Sequence, residues 1–333
     1  MKKQTTLITF GLGLALCLSI NVAAQENQKL AQTGLQFLSV VSDARAAALA
    51  NAMTGLEARS SALFFNPATM GFTPKVMDAS FSLNQWIADI NHNAFSLSIR
   101  PAEGEYGVFG ASLQTVDYGE ILGTRVAANE QGYEEQGNIS ASGFAFGIGY
   151  AKALSDRFAV GGQIKLARQN LGNSIIPTAD STTTTIKNEA KAVAFDFGTY
   201  YKTGLESFVF GFTVRNFSEE IEYAEESFQL PLVFSIGGSM NLVDLTSFNS
   251  KNHSAFFSIQ ATNDRSHRGQ VGLGLEYTFM SILALRGGYI TNSDEDDVSF
   301  GFGVSGFGFQ ADYGYTPFGV FDHVQRVTVR FSK

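Results

Sequence analysis

Apolar side chains recur at every second position of this chain, in segment after segment from about residue 76 to the C-terminal end. In residues 270–279, Val, Leu, Leu, Tyr and Phe occupy the odd positions, whereas Gln, Gly, Gly, Glu and Thr occupy the even ones. Residues 144–150, 208–214 and 307–315 repeat this two-residue period. Because successive side chains of a β-strand point to opposite faces, the pattern predicts an all-β fold whose strands have one apolar face.

The composition of the two faces separates a membrane barrel from a soluble β-sandwich, whose strands would also alternate. The chain has 30 Phe and 11 Tyr, so its apolar face is unusually aromatic. The opposite face is rich in Gly and Ser yet includes charged residues, which are costly in a dry core but suit a water-filled lumen. The segments are also about ten residues long, as tilted membrane strands are. The sequence therefore predicts a transmembrane antiparallel β-barrel.

Eight charged residues fall on the small or polar face of the predicted strands, and we expect them to point into the lumen. They could line a polar path, but pairing across the lumen is the more common arrangement for such charges. These lumen charges are Lys165, Asp196, Arg215, Glu276, Arg286, Asp312, Arg326 and Arg330.

About fourteen segments have the length and period of strands, an even number as single-chain bacterial barrels require. They assign residues 76–333 to the barrel. The predicted strands lie at 76–86, 91–100, 105–118, 139–151, 157–170, 192–202, 207–217, 228–242, 253–262, 269–279, 282–290, 297–305, 307–316 and 323–331.

The connections between these strands alternate in length. If the first strand runs outward from the periplasm, the even-numbered connections are periplasmic and mostly tight, as at Met280-Ser281. The odd-numbered ones include the three longest stretches, 119–138, 171–191 and 217–228. Short periplasmic turns and longer outer loops are typical of outer-membrane barrels. Residues 243–252 are the exception, which one misplaced strand would explain.

The N-terminus indicates export. Two lysines precede an apolar run at residues 7–20, and Val22-Ala23-Ala24 supplies the small residues that signal peptidase recognises. The run is too short to span a bilayer, so we expect residues 1–24 to be a cleaved secretory signal peptide. Cys17 is the only cysteine and would leave with it, and the leucine before it argues against lipidation.

Residues 25–75, between the signal peptide and the first strand, do not alternate. Residues 43–53 are rich in alanine, with Ser42 or Asp43 placed to cap a helix and Gly55 to end it. Such a segment of mostly small residues could lie across the periplasmic mouth or fold inside the barrel. We favour a plug inside the barrel, because a wall of about fourteen strands would otherwise leave an open lumen.

Two motifs of this segment are candidates for a hatch. Asp43 and Arg45 could gate the lumen, although an ion pair that anchors the plug is the more ordinary role for them. Asn66-Pro67-Ala68 could respond to a ligand, or it could be a structural turn, since Pro67 holds Asn66 in an extended or turn conformation.

These motifs belong to an ordered set that resembles the PorV/PorQ family, a branch of the FadL-like outer-membrane proteins found in Bacteroidetes and relatives. The resemblance covers nearly the whole mature chain, with Leu49-Ala50 in place of the Met-Gly pair that many relatives have. The set comprises Phe37-Leu38, Asp43-Ala44-Arg45, Asn66-Pro67-Ala68, residues 154–158 and 195–198, Leu230-Pro231, residues 274–277, 285–289 and 312–315, and Phe318-Gly319.

The resemblance implies an approximately fourteen-stranded FadL-like barrel in the outer membrane, with an N-terminal hatch. The sequence itself indicates no cofactor. Outer-membrane lipid and lipopolysaccharide would surround it. Named members of the family serve type IX secretion, and PorV-like proteins resemble shuttles that receive the C-terminal signal domain of a cargo protein. FadL itself takes up hydrophobic compounds.

Two of the predicted outer loops are strongly acidic. They could offer a surface for a partner protein, or for divalent cations that bridge to lipopolysaccharide. A solvated loop that stays out of the membrane is the simpler interpretation. The residues are Glu219, Glu220, Glu222, Glu225 and Glu226 in one loop and Asp294, Glu295, Asp296 and Asp297 in the other.

Nothing in the sequence indicates catalysis, a metal site or a nucleic-acid partner. There is no Gly-x-Ser-x-Gly motif, and the four histidines are scattered without the spacing of metal ligands. Gly301-x-Gly303-x-x-Gly306 matches the dinucleotide-binding pattern, but no helix follows it, so its glycines more simply leave lumen space. The net charge of −8 argues against nucleic acid.

Two functions therefore stay open. One is a non-enzymatic component of type IX secretion that binds or shuttles secreted cargo and contacts other secretion components. The other is a FadL-like channel for small hydrophobic compounds, which a dry apolar pocket between plug and wall would favour. A structural outer-membrane protein is the third, less specific interpretation.

Overall fold

The computed structural model describes residues 33–127, 129–177, 183–223, 226–246, 252–293, 296–321 and 323–333 of the chain. The predicted signal peptide lies outside these residues. Within them, no helix is long and apolar enough to cross a bilayer.

Among the described residues, fourteen strands close into one antiparallel barrel, which confirms the predicted fold class. Each barrel strand pairs with its neighbours in sequence, and β1 closes the barrel against β16. Two short strands, β8 and β9, form a separate hairpin between β7 and β10. The strands are β1 (Met77–Gln85), β2 (Asn91–Ile99), β3 (Val108–Val126), β4 (Tyr133–Ala153), β5 (Phe158–Pro177), β6 (Thr183–Lys202), β7 (Val209–Phe217), β8 (Ile221–Tyr223), β9 (Glu226–Phe228), β10 (Val233–Asn241), β11 (His253–Asp264), β12 (Gln270–Phe279), β13 (Leu283–Ile290), β14 (Val298–Gly306), β15 (Phe309–Pro317) and β16 (His323–Ser332).

The alternation in sequence becomes the two faces of the wall. In β12, Leu275 and Tyr277 are 47% and 39% exposed on the outside of the barrel, whereas Glu276 between them is only 6% exposed. The outward side chains form the apolar surface that meets lipid, and the inward ones line the lumen.

Strands β3 to β6 are about twice as long as the others. They have 19, 21, 20 and 20 residues, whereas the other barrel strands have 8 to 12. The stretches 119–138 and 171–191, predicted as loops, are therefore largely strand. We call the end to which these strands extend the outer end, because outer-membrane barrels place their longer hairpins outside.

The connection 242–252 at the periplasmic end is not the product of a misplaced strand. It begins with a 3₁₀ helix, Leu242–Leu245, and the pairing of β10 with β11 is regular from Val233 to Asn241. Asn241 caps the helix through its side chain, which accepts a hydrogen bond from the Val243 amide. The remaining connections contain the 3₁₀ helices Ile87–Asp89, Pro101–Gly104 and Gly319–Phe321.

Residues 33–75 lie within the lumen, and we call them the plug. Its α-helix, α1 (Ala44–Ala48), is shorter than predicted and ends well before Gly55. Of the two predicted capping residues, Asp43 caps the N-terminus of α1, but Ala50 and Asn51 have positive φ angles that turn the chain away. The plug also contains the 3₁₀ helices Gln36–Ser39, Arg59–Phe64 and Pro67–Phe72.

Candidate functional site: the plugged lumen and its two cavities

The plug follows the inner wall from one end of the barrel to the other. At the outer end, the Gly34 amide donates to the carbonyl of Gln229, 3.0 Å away. At the periplasmic end, Phe72 packs against Tyr200 on the inner face of β6. The chain between these contacts is mostly buried, so the plug fills the middle of the lumen.

Glycines on the inner wall let the plug backbone approach closely. A Cβ on Gly314 would lie 2.7 Å from the Ala44 carbonyl oxygen, and one on Gly301 would overlap the Ala48 side chain. The same is true of Gly161 against the Pro67 carbonyl carbon, at 2.7 Å. The inner face of the strands thus has small residues because the plug backbone packs against it.

A chain of ion pairs joins the plug to the wall. Arg45 donates from Nε and Nη2 to the two carboxylate oxygens of Glu276, each 2.8 Å away. Arg286 donates to the same carboxylate at 2.5 Å and to Asp312 at 2.8 Å. Gly303 lies between Arg286 and Asp312 on β14, and its missing side chain leaves room for this contact.

This pairing favours the charged form of Arg45. Burial lowers the pKa of Arg45, but the carboxylate of Glu276 outweighs burial, so the pKa lies above its ordinary value. Buried ion pairs of this geometry are strongly coupled, and removing one partner leaves an uncompensated charge.

A second group of charges surrounds Asp43 and Asp78. Nη2 of Arg330 lies 3.5 Å from Asp43, and Nη1 lies 3.7 Å from Asp78. Ser61 donates to Asp43, and the Ser60 amide donates to Asp78 at 3.0 Å. The motif around Asp43 and Arg45 therefore contacts wall charges through both of its side chains.

Lys165 and Asp196 form a third group. Their charged atoms are 2.8 Å apart, and Nζ of Lys165 also donates to Asn216 at 2.5 Å. Asp196 in turn accepts from the Asn216 amide at 2.8 Å. Six of the eight predicted lumen charges thus lie in these three groups.

Arg215 and Arg326 are the other two, and they differ from the rest. Both are buried, at 8% and 4% exposure. Among the described residues, neither lies within 4.0 Å of a carboxylate oxygen. Both line the same cavity at the outer end.

Asn66-Pro67-Ala68 forms a buried turn. The Asn66 side chain donates to the carbonyls of Thr54 and Thr199 at 2.9 and 3.0 Å and accepts from the Ala68 amide. Pro67 begins the following 3₁₀ helix, and Asn66 is extended at φ −140°. These contacts join two parts of the plug to the wall and resemble a structural turn more than a movable latch.

The plug separates two cavities. The outer cavity has a volume of about 510 Å³ and is lined by plug residues such as Asn51 and by the outer ends of β7 and of β10 to β16. The periplasmic cavity has a volume of about 570 Å³, and Arg45, Arg59 and Lys202 line it. Burial and the neighbouring Arg330 lower the pKa of Arg59 below its ordinary value.

An outer apolar cluster fills the side of the lumen opposite the outer cavity. Leu35, Phe37 and Leu38 of the plug pack there against Val116 and Leu230. Sequence reasoning did not identify this cluster, although small residues at alternate inward positions were a usable signal. The wall contributes Ala145, Ala167, Ala190, Ala192 and Ala194.

The acidic loops are partly described. Glu219, Glu220, Glu222 and Asp297 are exposed, and Asp296 is half-buried. Burial raises the pKa of Asp296 above its ordinary value. Glu225, Asp294 and Glu295 lie outside the described residues, as does the side chain of Glu226. Within the described part of the chain, no group of three or more acidic, histidine or cysteine side chains could hold a metal ion.

Solved structures of similar fold are outer-membrane channels. The crystal structure of the Pseudomonas putida toluene transporter TodX matches with a TM-score of 0.58 and 13% identity, over 87% of this chain and 96% of that one. A Pseudomonas aeruginosa FadL homologue matches with a TM-score of 0.55 and 12% identity, over 87% and 98%. At such identities the likeness shows the fold alone, a FadL-like barrel of the outer membrane.

The family is shown by sequence. No curated protein sequence matches the chain. The family model described as type IX secretion system protein PorV matches residues 23–258, which is more than half of the chain. This chain therefore belongs to the PorV family and is built on a FadL-like outer-membrane β-barrel.

Proposed function

We propose that the protein is a closed, non-enzymatic docking barrel of type IX secretion, which holds secreted cargo or a secretion component at its outer end. The observation that carries this proposal is the outward extension of β3 to β6 above a plugged lumen. A barrel that only conducted small molecules would need an open path, whereas a docking barrel needs a surface.

The extension consists of two β-hairpins, β3–β4 and β5–β6, because β4 and β5 pair with each other only as far as Ser142 and Asn170. β3 pairs with β2 only as far as Asp117, yet it pairs with β4 as far as Val126. β6 pairs with β7 only from Phe195 onward, yet it pairs with β5 from Thr183. Among the described residues, the outer parts of β3 and β6 are therefore hydrogen-bonded to a strand on one side only.

Such edges suit the binding of another chain. Unpaired amide and carbonyl groups of an edge strand are a template for an added strand. The β3 edge also has exposed apolar side chains, with Leu122 at 54% and Val126 at 93% exposure. A β-rich signal domain of a secreted protein would find both backbone partners and apolar contacts there.

The second candidate function is passage of small hydrophobic compounds, because TodX, which has a similar fold, is a toluene transporter. The fold likeness and the outer apolar cluster favour it. Passage would require the plug to leave that cluster and to break the buried pair of Arg45 with Glu276. We therefore rank it second.

Single-cysteine crosslinking tests the docking proposal, because Cys17 is the only native cysteine. Leu122→Cys places a thiol at the β3 edge, and Val320→Cys is the matched control on another exposed outer connection. In outer membranes of the native cells, a bifunctional crosslinker should join Leu122→Cys to a secreted protein with a C-terminal signal domain or to a secretion component.

The control should remain uncrosslinked. Equal crosslinking of both positions, or none at either, would contradict docking at this edge. Uptake of radiolabelled toluene that depends on the protein, together with an uncrosslinked edge, would move the conclusion to the hydrophobic channel.

A further inference from the structure

We propose that the outer cavity is a binding site for a small organic anion, a carboxylate on a flat apolar body, anchored by Arg326. This site goes beyond the docking function, since it lies in the lumen rather than on the projecting hairpins. It depends on three independent features: unpaired cations, unpartnered polar atoms and an aromatic rim.

The cations are the first feature. Arg286 and Arg330, on β13 and β16, each have a carboxylate partner within 4.0 Å. Arg215 and Arg326 are as deeply buried but have none among the described residues. A buried guanidinium without a counter-ion is costly, so its presence in a cavity indicates an anion that arrives from outside.

Hydrogen bonds hold the guanidinium of Arg326 in place but do not use all of its donors. Its Nε donates to the Val41 carbonyl at 2.8 Å, and its Nη1 donates to Thr316 at 2.9 Å. These two bonds fix the plane of the guanidinium. Its Nη2 has no hydrogen bond to any described residue, and this is the group that would bind a carboxylate.

The carboxylates near these arginines are engaged elsewhere. Asp264 accepts from Ser39 at 3.1 Å and from the Ser266 amide at 2.7 Å. Asp296 accepts from Ser293. Both carboxylates line the cavity without pairing with either arginine. They weaken the positive potential of the cavity but do not neutralise the guanidinium groups directly.

Unpartnered polar atoms are the second feature. Three buried atoms have no hydrogen-bond partner among the described residues: Oγ of Ser299, Oδ1 of Asn51 and Nε of Arg215. All three residues line the outer cavity. Buried polar atoms are nearly always paired, and two of these three, the Ser299 hydroxyl and Nε of Arg215, are donors that suit an anion, whereas Oδ1 of Asn51 can only accept.

The aromatic rim is the third feature. Trp86 and Phe318 meet edge to face with ring centroids 5.0 Å apart, at the outer ends of β1 and β15. The guanidinium of Arg326 lies 5.3 Å from the centre of the Trp86 ring. A flat apolar body bound at Arg326 would therefore pack against Trp86. The volume of about 510 Å³ lies within the range of small-ligand sites.

Trp86 makes the site directly observable, because it is the only tryptophan of the chain. The purified full-length protein, in detergent micelles, is titrated with benzoate up to about 10 mM, which covers millimolar affinity. We expect a saturable change in tryptophan emission. Benzyl alcohol, the neutral analogue of similar size, should give none.

Three variants test the role of Arg326. Arg326→Gln should weaken benzoate binding by about 10-fold or more, because a charge-assisted hydrogen bond is lost. Asp296→Asn should tighten binding by about 2- to 5-fold, because it removes a competing carboxylate while Arg326 is retained. Arg157→Gln, at the opposite end of the barrel, should leave it unchanged.

The proposal fails if benzoate gives no saturable change, if benzyl alcohol binds equally well, or if Asp296→Asn weakens binding. The Asp296→Asn result keeps the test decisive even if Arg326→Gln does not fold, since the former leaves the arginine and its contacts in place. Crosslinking at Leu122 is independent of all these outcomes.

Discussion

Arg45 of the plug and Glu276 of β12 form a two-point ion pair inside the barrel, with both nitrogen–oxygen distances at 2.8 Å. Glu276 also accepts from Arg286 on the neighbouring strand. One wall carboxylate therefore compensates two buried arginines, one of which belongs to the plug. This arrangement makes the plug a part of the folded wall rather than a loosely held insert.

Glu276→Gln should therefore destabilise the barrel more than any surface change. It leaves Arg45 without a carboxylate partner, and breaking a buried pair in this way costs about 3–5 kcal/mol in soluble proteins. Urea unfolding of the purified protein in micelles measures the change. Asp297→Asn, in an exposed loop, is the control and should stay within about 0.5 kcal/mol of the parent. A similar midpoint for both variants would contradict an anchoring role.

The adjacent glycines Gly287 and Gly288 test the packing of the plug against the wall. A Cβ on Gly288 would lie 2.6 Å from Oγ of Ser299 and 2.8 Å from the Leu49 carbonyl carbon, whereas one on Gly287 would meet nothing within 4 Å. Gly288→Ala should destabilise by about 1–3 kcal/mol and Gly287→Ala by less than about 0.5 kcal/mol. Urea unfolding measures both, and equal effects would mean that the plug does not press on this strand.

The sequence predicted the wall well because alternation is a local property. The inward position of Glu276 and the outward positions of Leu275 and Tyr277 follow from the two-residue period alone. The capping role of Asp43 was also readable, since N-cap chemistry is local.

What the sequence could not give depends on contacts between distant residues. The early end of α1 follows from the turn at Ala50 and Asn51, where the Ala50 backbone packs against the wall glycines Gly272 and Gly288. The absence of carboxylate partners for Arg215 and Arg326 requires knowing which strands face each other across the lumen. The extension of β3 to β6 was missed because strands outside the membrane lose the apolar period that marks them.

Asp296 predicts a pH dependence of stability. Burial raises its pKa above the ordinary value of 3.8, so the folded protein binds the Asp296 proton more tightly than the unfolded chain does. Its stabilising contribution is then complete below pH of about 3.8 and is lost as the pH rises through the raised pKa. The difference in stability between Asp296→Asn and the parent should favour the variant more at about pH 7 than at about pH 3.5. Thermal unfolding at the two pH values measures this difference, and a constant difference would contradict the raised pKa.

The packing of Phe37 predicts that the outer end of the plug can be loosened without unfolding the barrel. Phe37 is 2% exposed and packs in the outer apolar cluster, and truncating a buried phenylalanine costs about 3–5 kcal/mol. The side-chain hydrogen bonds of Gln36 to Ser266 and of Ser39 to Asp264 also hold this segment, so we expect Phe37→Ala to loosen it without unfolding the barrel. Hydrogen exchange measured by mass spectrometry should become faster for the amides of Leu38 and Val40, which donate to Leu35 and Phe37. Phe321→Ala, at a position 53% exposed, is the control and should leave these amides unchanged. Unchanged exchange in Phe37→Ala would mean that the hydrogen bonds of Gly34, Gln36 and Ser39 to the wall hold the outer end of the plug without the apolar cluster.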